Sequence, residues 1–570
     1  MKSGETGYDA DTHGDGSEGN PYKAIENTNA TNKEYREANY SYGTGEAITD
    51  VYGGRIHNAY GGSNEKGNIR RLALSTYETQ ATCDLIIDNT YNAGKNADID
   101  GEARITIDCV DYAESLYAGS TDSDINSDIH LTITNGVFGK VFGGNNLGGK
   151  IKGSITINIK ESGCKPIIID ELYAGGNQAS YSIYGYNSDG SVRTKEQFET
   201  HKAEVLAGHE SDTEDQKNDL LIQAGLYGFP KDSPLVNVIS ATKIGKIFGG
   251  GYLATTVGDP TINVNMEQGQ ITAKYAKGDY LEVGEHDLIT EIAAAQTRTD
   301  KYTIEGQVTE DGPDKGNAIL KIGTIGDIYG GGNLASVIGD THVEIGTGKW
   351  LNQSREEETL ERNAATITGN VFGGGKGEAL ESGARAFFCE AAMVGADGDG
   401  LTNPAGGTSV TIGNGTVGTL EAGKLKAGTG NVYGGGEIGR VEKNTIVTIG
   451  LEGEVAEDSK FKPVIEGNVF GAGKGLATHG YSALVRGNST VTIQGKAKVK
   501  GSVYGGGQLA SVGRYKVKQG PGDPEDAPAD LPNGMPYSLA SETSGNCTVI
   551  VRDNAEIGPD NILADRKSVV

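Results

Sequence analysis

The sequence predicts an all-β chain wound as a right-handed parallel β-helix, a solenoid with loop insertions and a small helical one. Three observations predict it. One aromatic–glycine phrase recurs from end to end, a second kind of segment alternates strictly between apolar and polar residues, and the composition allows only a thin core.

The recurrent phrase is an aliphatic residue, then Tyr or Phe, then glycines. Its copies centre on Tyr52, Tyr60, Tyr117, Phe142, Tyr173, Phe248, Tyr329, Phe372, Tyr433, Phe470 and Tyr504. Several continue into Leu-Ala-x-x-Val-(x)-Gly, as after Leu334 and Leu509. A third phrase alternates, as in Ser154-Ile155-Thr156-Ile157-Asn158-Ile159 and Val491-Thr492-Ile493. Short β-branched runs broken by glycine read as strand then turn. The period of two places Ile155, Ile157 and Ile159 on a buried face, with Thr156 and Asn158 on the other. Three short strands per unit fit coils stacked about 4.8 Å apart, and about a dozen of them give a rod roughly 60–80 Å long. Tandem sandwiches and a β-propeller are the competing architectures, the latter needing a regular period of about 40–50 residues. Successive aromatics here lie from 8 residues apart (Tyr52 to Tyr60) to 81 (Phe248 to Tyr329), which a closed ring does not tolerate.

Glycine is 89 of 570 residues and the apolar fraction is 36%, too low for a set of large globular cores. The glycines keep no three-residue period, which excludes collagen, and no run of apolar residues is long enough to span a membrane. A net charge of −27 repels nucleic acid and anionic membranes alike, so neither is an expected partner. Cys83, Cys109, Cys164, Cys389 and Cys547 are odd in number and lack CxxC spacing, which argues against a zinc site and a disulfide framework. Cys109 continues the inward set Ile105 and Ile107 and reads as core. The start carries no hydrophobic signal region, and Asp565 to Val570 (DRKSVV) resemble translated adapter sequence. The expectation is a fragment of a longer chain, with residues 565–570 not native.

Residues 47–564 form the expected β-helix, preceded by an irregular acidic segment, 1–46. Insertions are expected after the glycines, at 178–235, 376–408 and 515–547, and after the alternating phrase, at 268–319 and 348–365. The first reads as a helical hairpin: Thr194-x-x-Gln197 and Ser211-x-x-Glu214 match the capping box, and Phe198 and Val205 share a face. Gly208 and Gly225 mark helix ends. Gly520 to Pro536 is Pro-rich and reads as an extended loop.

Catalytic chemistry finds little support. Parallel β-helices often house polysaccharide lyases and glycosidases, which need paired carboxyls or a cation with a base. Asp259, Asp327 and Asp340 lie near corners, but singly. Asp9-x-Asp11-x-His13-Gly14-Asp15 begins like a calcium loop and departs from it at His13 and at Asn20, so Ca²⁺ is a weak candidate and no other cofactor is expected. His201 and His209 are too far apart to share an ion. Gly330-Gly331-Gly332-Asn333 lacks the Lys-Ser/Thr of a phosphate loop.

The aromatic–glycine phrase, with Leu-Ala-x-x-Val-Gly and Thr-Val-Thr-Ile, resembles the glycine-rich repeats of large adhesin-like surface proteins of gut Bacteroidales, over roughly residues 47–564. The resemblance implies a fold and an extracellular or cell-surface location, and carries over no site. The expected function is a non-enzymatic rod displaying loops to glycans or host surface proteins, continuous with the rest of its own chain; a β-helical carbohydrate-active enzyme is the alternative. The interchange of Tyr and Phe at one position suggests a dispensable hydroxyl and rings at a corner, with packed bodies and tips near water. Such a ladder either fixes register or offers a strip for sugar rings.

Overall fold

The computed structural model describes residues 46–559 apart from 65–68, 70, 78–84, 96–102, 109, 163–164, 225, 227–231, 273, 284–299, 353–355, 361–362, 380–391, 396–406, 479–481, 514, 519–527, 531–535 and 540–544. The acidic segment up to residue 45, the candidate calcium loop, Cys109, Gly225 and residues 565–570 lie outside the described residues.

The chain is a parallel β-helix. Its first sheet has twelve strands, all parallel, running from Glu46–Val51 through Ile155–Lys160 and Thr341–Ile345 to Cys547–Val551. The second sheet has sixteen, because each strand of the early coils, such as Ile167–Tyr173 and Thr324–Tyr329, is replaced later by a pair of short ones, such as Val464–Ile465 and Val469–Phe470. A third side is made of two-residue strands, Tyr181–Ser182, Thr256–Val257 and Val337–Ile338. It continues through single bridges linking Val337, Val394, Val441, Val485 and Val512. Each coil therefore passes from first sheet to second sheet, turns at the glycines, and returns along the third side.

Every residue of a coil stacks on its equivalents above and below, so each inward position becomes a column. Ile105, Leu131, Ile157, Val236 and Ile262 form one column in register, and all are 0% exposed. Removing such a side chain from water is worth about 1.5–3 kcal/mol. The first sheet's outer face departs from expectation. Thr156 and Asn158 are buried, and farther along the same face the 348–365 insertion folds a hairpin, Lys349–Leu351 with Glu357–Thr359, onto Asn237 and Asn265. Asn237 donates from Nδ2 to Asn158 Oδ1 (2.9 Å) and to the hairpin carbonyl of Leu351 (2.6 Å), and Asn263 donates to Asn237 Oδ1 (3.0 Å). The amides stack as a ladder, each satisfying the next, which is what lets polar groups lie under a lid.

The glycine corner is set by steric approach. At Gly373-Gly374-Gly375 an added Cβ would lie 2.3 Å from the Gly434 carbonyl, 2.7 Å from Gly436 N and 2.5 Å from the Ala392 carbonyl respectively. None of the three adopts a left-handed φ; the obstacle is backbone, of the next coil at Gly373 and Gly374 and of the coil's own return run at Gly375. The corner continues the ladder, with Gly330 N donating to Phe372 O (2.9 Å) and Gly331 N to Gly374 O (3.1 Å). On the far side Thr341, Thr408 and Thr445 donate their hydroxyls to Gly373, Gly434 and Gly471 carbonyls at 2.5–2.6 Å. These bonds tie the corner to the first sheet.

The insertions are structured. In 178–235, α1 (Lys195–Leu206) begins with the expected capping box, Thr194 with Gln197. Phe198 is buried and Val205 packs against the core. Helix α2 (Glu214–Gln223) is capped two residues later than expected: Thr213 with Gln216 replaces Ser211 with Glu214, Gln216 N reaching Thr213 Oγ1 at 3.3 Å and Thr213 N reaching Gln216 Oε1 at 2.9 Å. Ser211 lies in the turn between the helices. The 268–319 insertion contributes to a four-stranded antiparallel sheet, and Tyr515–Val517 pairs with Pro536–Leu539.

Gly374→Ala is expected to cost several kcal/mol, more than the usual ~1–3 kcal/mol of overpacking, because backbone atoms cannot move aside. Gly506→Ala, at the same repeat position but with nothing within 4 Å of the added Cβ, should stay within about 1 kcal/mol. Chemical denaturation of the two variants measures the difference.

Candidate functional site: the aromatic ladder and an adjoining cleft

Eleven rings stack in one column along the rod: Tyr60, Tyr91, Tyr117, Phe142, Tyr173, Phe248, Tyr329, Phe372, Tyr433, Phe470 and Tyr504. Successive centroids are 4.8–5.0 Å apart and the planes are within 10° of parallel. The strand spacing of about 4.8 Å exceeds the ~3.5 Å contact distance of ring faces, so parallel rings stack inclined and offset, the arrangement their quadrupoles favour. Ten expected rungs are here and Tyr52 is not. Its strand belongs to the first sheet, it stacks on Tyr77 instead (5.3 Å), and Gly53 and Gly54 after it do adopt positive φ, 151° and 108°. Tyr91 is the rung that the phrase does not mark, since Asn92 and Ala93 follow it in place of glycine. Its only signal is the Tyr-x-Ala-Gly that survives of the phrase.

The rings are buried. From Tyr91 to Phe470 none is more than 6% exposed; Tyr60 is partly buried, and Tyr504 is 47% exposed. From Tyr91 to Phe470 their faces are taken by one another, so this stretch of the column fixes register and offers no face to a sugar. Nor is the Tyr hydroxyl idle. From Phe142 to Tyr504 Phe and Tyr alternate strictly, and each bonded hydroxyl finds a side chain placed four residues after the aromatic two coils on. Tyr329 donates to Glu437 Oε2 (2.7 Å) and Tyr433 to Gln508 Oε1 (2.6 Å). Tyr173 accepts from Asn333 Nδ2 (3.0 Å) and Tyr91 from Asn146 Nδ2 (3.2 Å). Tyr173 also donates to Glu171 Oε2 (2.8 Å). Burial, with Glu437 and Asp327 nearby, pushes the Tyr329 hydroxyl far above its usual range, and burial pushes Tyr117 up to about 12. These groups stay neutral and serve as hydrogen-bond partners. Interchange between Tyr and Phe is thus a two-coil repeat.

Carboxylates elsewhere are mostly engaged. Outside the second sheet Lys140, Glu171, Lys246 and Asp327 form a register row of alternating charge, with Lys246 Nζ 3.1 Å from Glu171 Oε1. Burial pushes the Glu171 carboxyl up, but bonds from Tyr173 and Lys246 outweigh it and hold the group below its usual range. Glu442 lies buried between Arg440 and Arg486, and Asp340 pairs with Lys443 at 2.9 Å. Asp259 accepts from Asp340 N (2.9 Å), and Asp327 from Asn370 N (2.8 Å). His201 and His209 each pair with a carboxylate of their own segment. Among the described residues no three His, Cys, Asp or Glu side chains converge as metal ligands, and no helix is long and apolar enough to cross a membrane. Cys547 is a free, exposed thiol.

Two described carboxylates are held otherwise: burial pushes Glu344, on the outer face of the first sheet, up to about 7, and Glu161 is the more enclosed. It is wholly enclosed where the first sheet turns into the second, its Oε2 accepting from Ile167 N (2.7 Å), Thr242 N (2.8 Å) and Thr242 Oγ1 (2.8 Å), while Oε1 has no partner and faces Gly269 at the root of an insertion. Burial outweighs those bonds and pushes the carboxyl up to about 7.

An open cleft of about 580 Å³ lies where the arm leading to α1 returns onto the third side of the coils. Gly148 and Gly149 line its floor, and the space a Cβ would take on each is already filled by the preceding coil, by Asp122 Oδ1 (2.0 Å) at Gly148 and by the Ser123 carbonyl (2.2 Å) at Gly149. Asp122 stands on one wall, exposed; Asp124 beside it accepts from Lys150 N (2.8 Å). On the opposite wall the Lys150 ammonium covers the Tyr186 ring (5.4 Å), and Tyr186 OH donates to Ser180 O (3.2 Å). The arm is held by a turn in which Asp189 Oδ1 accepts from Ser191 N (2.9 Å) and Ser191 Oγ (2.6 Å). No sequence motif marks this cleft, because its walls come from three coils and an insertion.

No protein-family model matches the chain, and comparison with curated proteins and with solved structures finds no match.

Tyr329→Phe is expected to cost about 1–2 kcal/mol, since it removes a bond to a charged acceptor, and Tyr329→Ala about 3–5 kcal/mol; equilibrium denaturation measures both. Glu161 gives a pH signature. The folded state keeps a proton that the unfolded chain releases near pH 4.5, so stability is full below that and declines as pH rises to about 7. Glu161→Gln should match the wild type near pH 4.5 and exceed it at pH 8 by roughly 3–4 kcal/mol, at about 1.4 kcal/mol per pKa unit. Thermal melts across that range check the sign.

Proposed function

We propose that this chain is a non-enzymatic structural rod of the extracellular or cell-surface kind, adhesin-like, that holds its insertions out for contact with glycans or surface proteins. The observation that carries the reading is the contrast between spine and insertions. Eleven rings keep one spacing throughout, while the segments between coils swell from a few residues to a helical pair or an antiparallel sheet. A scaffold so regular holds loops at fixed separations without needing them for its own register. The repeat resemblance to large surface proteins of gut Bacteroidales supports the location, and the engagement of corner carboxylates in ion pairs and backbone bonds supports a display role over hydrolysis or lysis.

Two measurements test it. Small-angle scattering should give an elongated particle whose twelve-coil body is about 55–60 Å long at the strand spacing. A glycan array and immobilised mucins should retain the full chain, and removal of the 268–319 or 178–235 insertion should alter which surfaces retain it. Release of reducing ends or unsaturated uronates from pectins, mucin glycans or glycosaminoglycans would overturn the reading.

A further inference from the structure

Glycan contact, if it follows the display reading above, needs a place where a sugar is gripped, and the ladder is closed to it from Tyr91 to Phe470. The cleft between Asp122 and Lys150 is open and built. Leu147 lines it and is 54% exposed, an apolar side chain against which one face of a sugar ring can pack. Beside it in the lining stand a carboxylate (Asp122), an amide (Gln178) and a hydroxyl (Thr255). Carboxylate oxygens accept two hydroxyl hydrogens side by side, and an amide both donates and accepts. The volume is within the range of small-molecule sites, about 300–1,000 Å³.

Charge narrows the class. Asp122 and Asp124 face a single ammonium, Lys150, which already lies over Tyr186 and near Asp189. An acidic sugar would meet net negative charge, and the carboxylates do not converge with a third ligand to hold a cation. We propose that this cleft binds the terminal unit of a neutral glycan, a pyranose whose adjacent hydroxyls bridge Asp122 and whose apolar face lies on Leu147. The proposal rests on the display reading and gives it a first ligand class.

The test uses the full chain and saturation-transfer NMR with lactose, maltose, diacetylchitobiose and sialyllactose. At least one neutral disaccharide should bind with a millimolar dissociation constant, and sialyllactose should bind no more tightly than lactose. Asp122→Asn, which keeps shape and removes charge, should weaken binding by about tenfold or more. Gly148→Ala, which fills the floor and displaces Asp122, should abolish it, with circular dichroism confirming an unchanged fold. Absence of binding by every neutral probe at about 20 mM, several times a typical millimolar constant, overturns the proposal. So does binding that neither variant changes, and in that case the display reading survives, because the sugar is then held elsewhere on the rod. Loss of the array and mucin retention described above, with the disaccharides still bound, would instead sink the display reading and leave the cleft.

Discussion

Stacking at one fixed spacing is the constraint on which everything else in this molecule depends. Parallel strands place equivalent residues about 4.8 Å apart, so whatever occupies a position in one coil must tolerate its own kind directly above. Branched aliphatics tolerate it inside, amides tolerate it by bonding in chains, and flat rings tolerate it by tilting. A Cβ at the glycine corner does not, because the next coil's carbonyl lies 2.1–2.3 Å from where it would sit at Gly249, Gly330, Gly373, Gly434 and Gly471. The high glycine content follows from that approach.

The alternation of Tyr and Phe shows how the same constraint shapes polar groups. From Phe142 onward one hydroxyl at every second rung reaches a side chain two coils on, while the first three rungs, Tyr60, Tyr91 and Tyr117, are all tyrosine. Glu437 illustrates the economy: one oxygen accepts from Tyr329 and the other pairs with Lys474 at 2.8 Å. Lys474 itself follows the intervening Phe470 by four residues, so the Phe coil supplies the counter-charge for the Tyr coil. Register is thereby specified over two coils, which guards a repetitive sequence against slipping by one.

What the sequence discloses about this fold is what recurs in it. The aromatic–glycine phrase and the Ile-x-Ile alternation are column positions, repeated by necessity, and they point directly to the solenoid and to ten of the rungs. Thr194 with Gln197 is legible because a capping box is local. Contacts between coils of unequal length are not legible. Nothing in Val51-Tyr52-Gly53-Gly54 distinguishes a turn between sheets from the corner, although the structure gives its glycines positive φ and the corner's none. Tyr91 lost the glycine after it and with that its marker. The bonding of Asn237 depends on a hairpin more than a hundred residues on, and the cleft beside Asp122 on an arm folded across three coils. Long-range juxtaposition of that kind leaves no period to read.

Hydrogen exchange of the glycine corner tests the central claim most directly. If close coil-to-coil approach at the corner holds the stack in register, the amides of Gly330, Gly331, Gly373, Gly374 and Gly434 exchange only with the cooperative opening that also frees the Thr341–Ile345 and Gly407–Ile412 strands. Fast exchange at those glycines, with the strands still protected, would show the corner to be a loose connection and contradict the account.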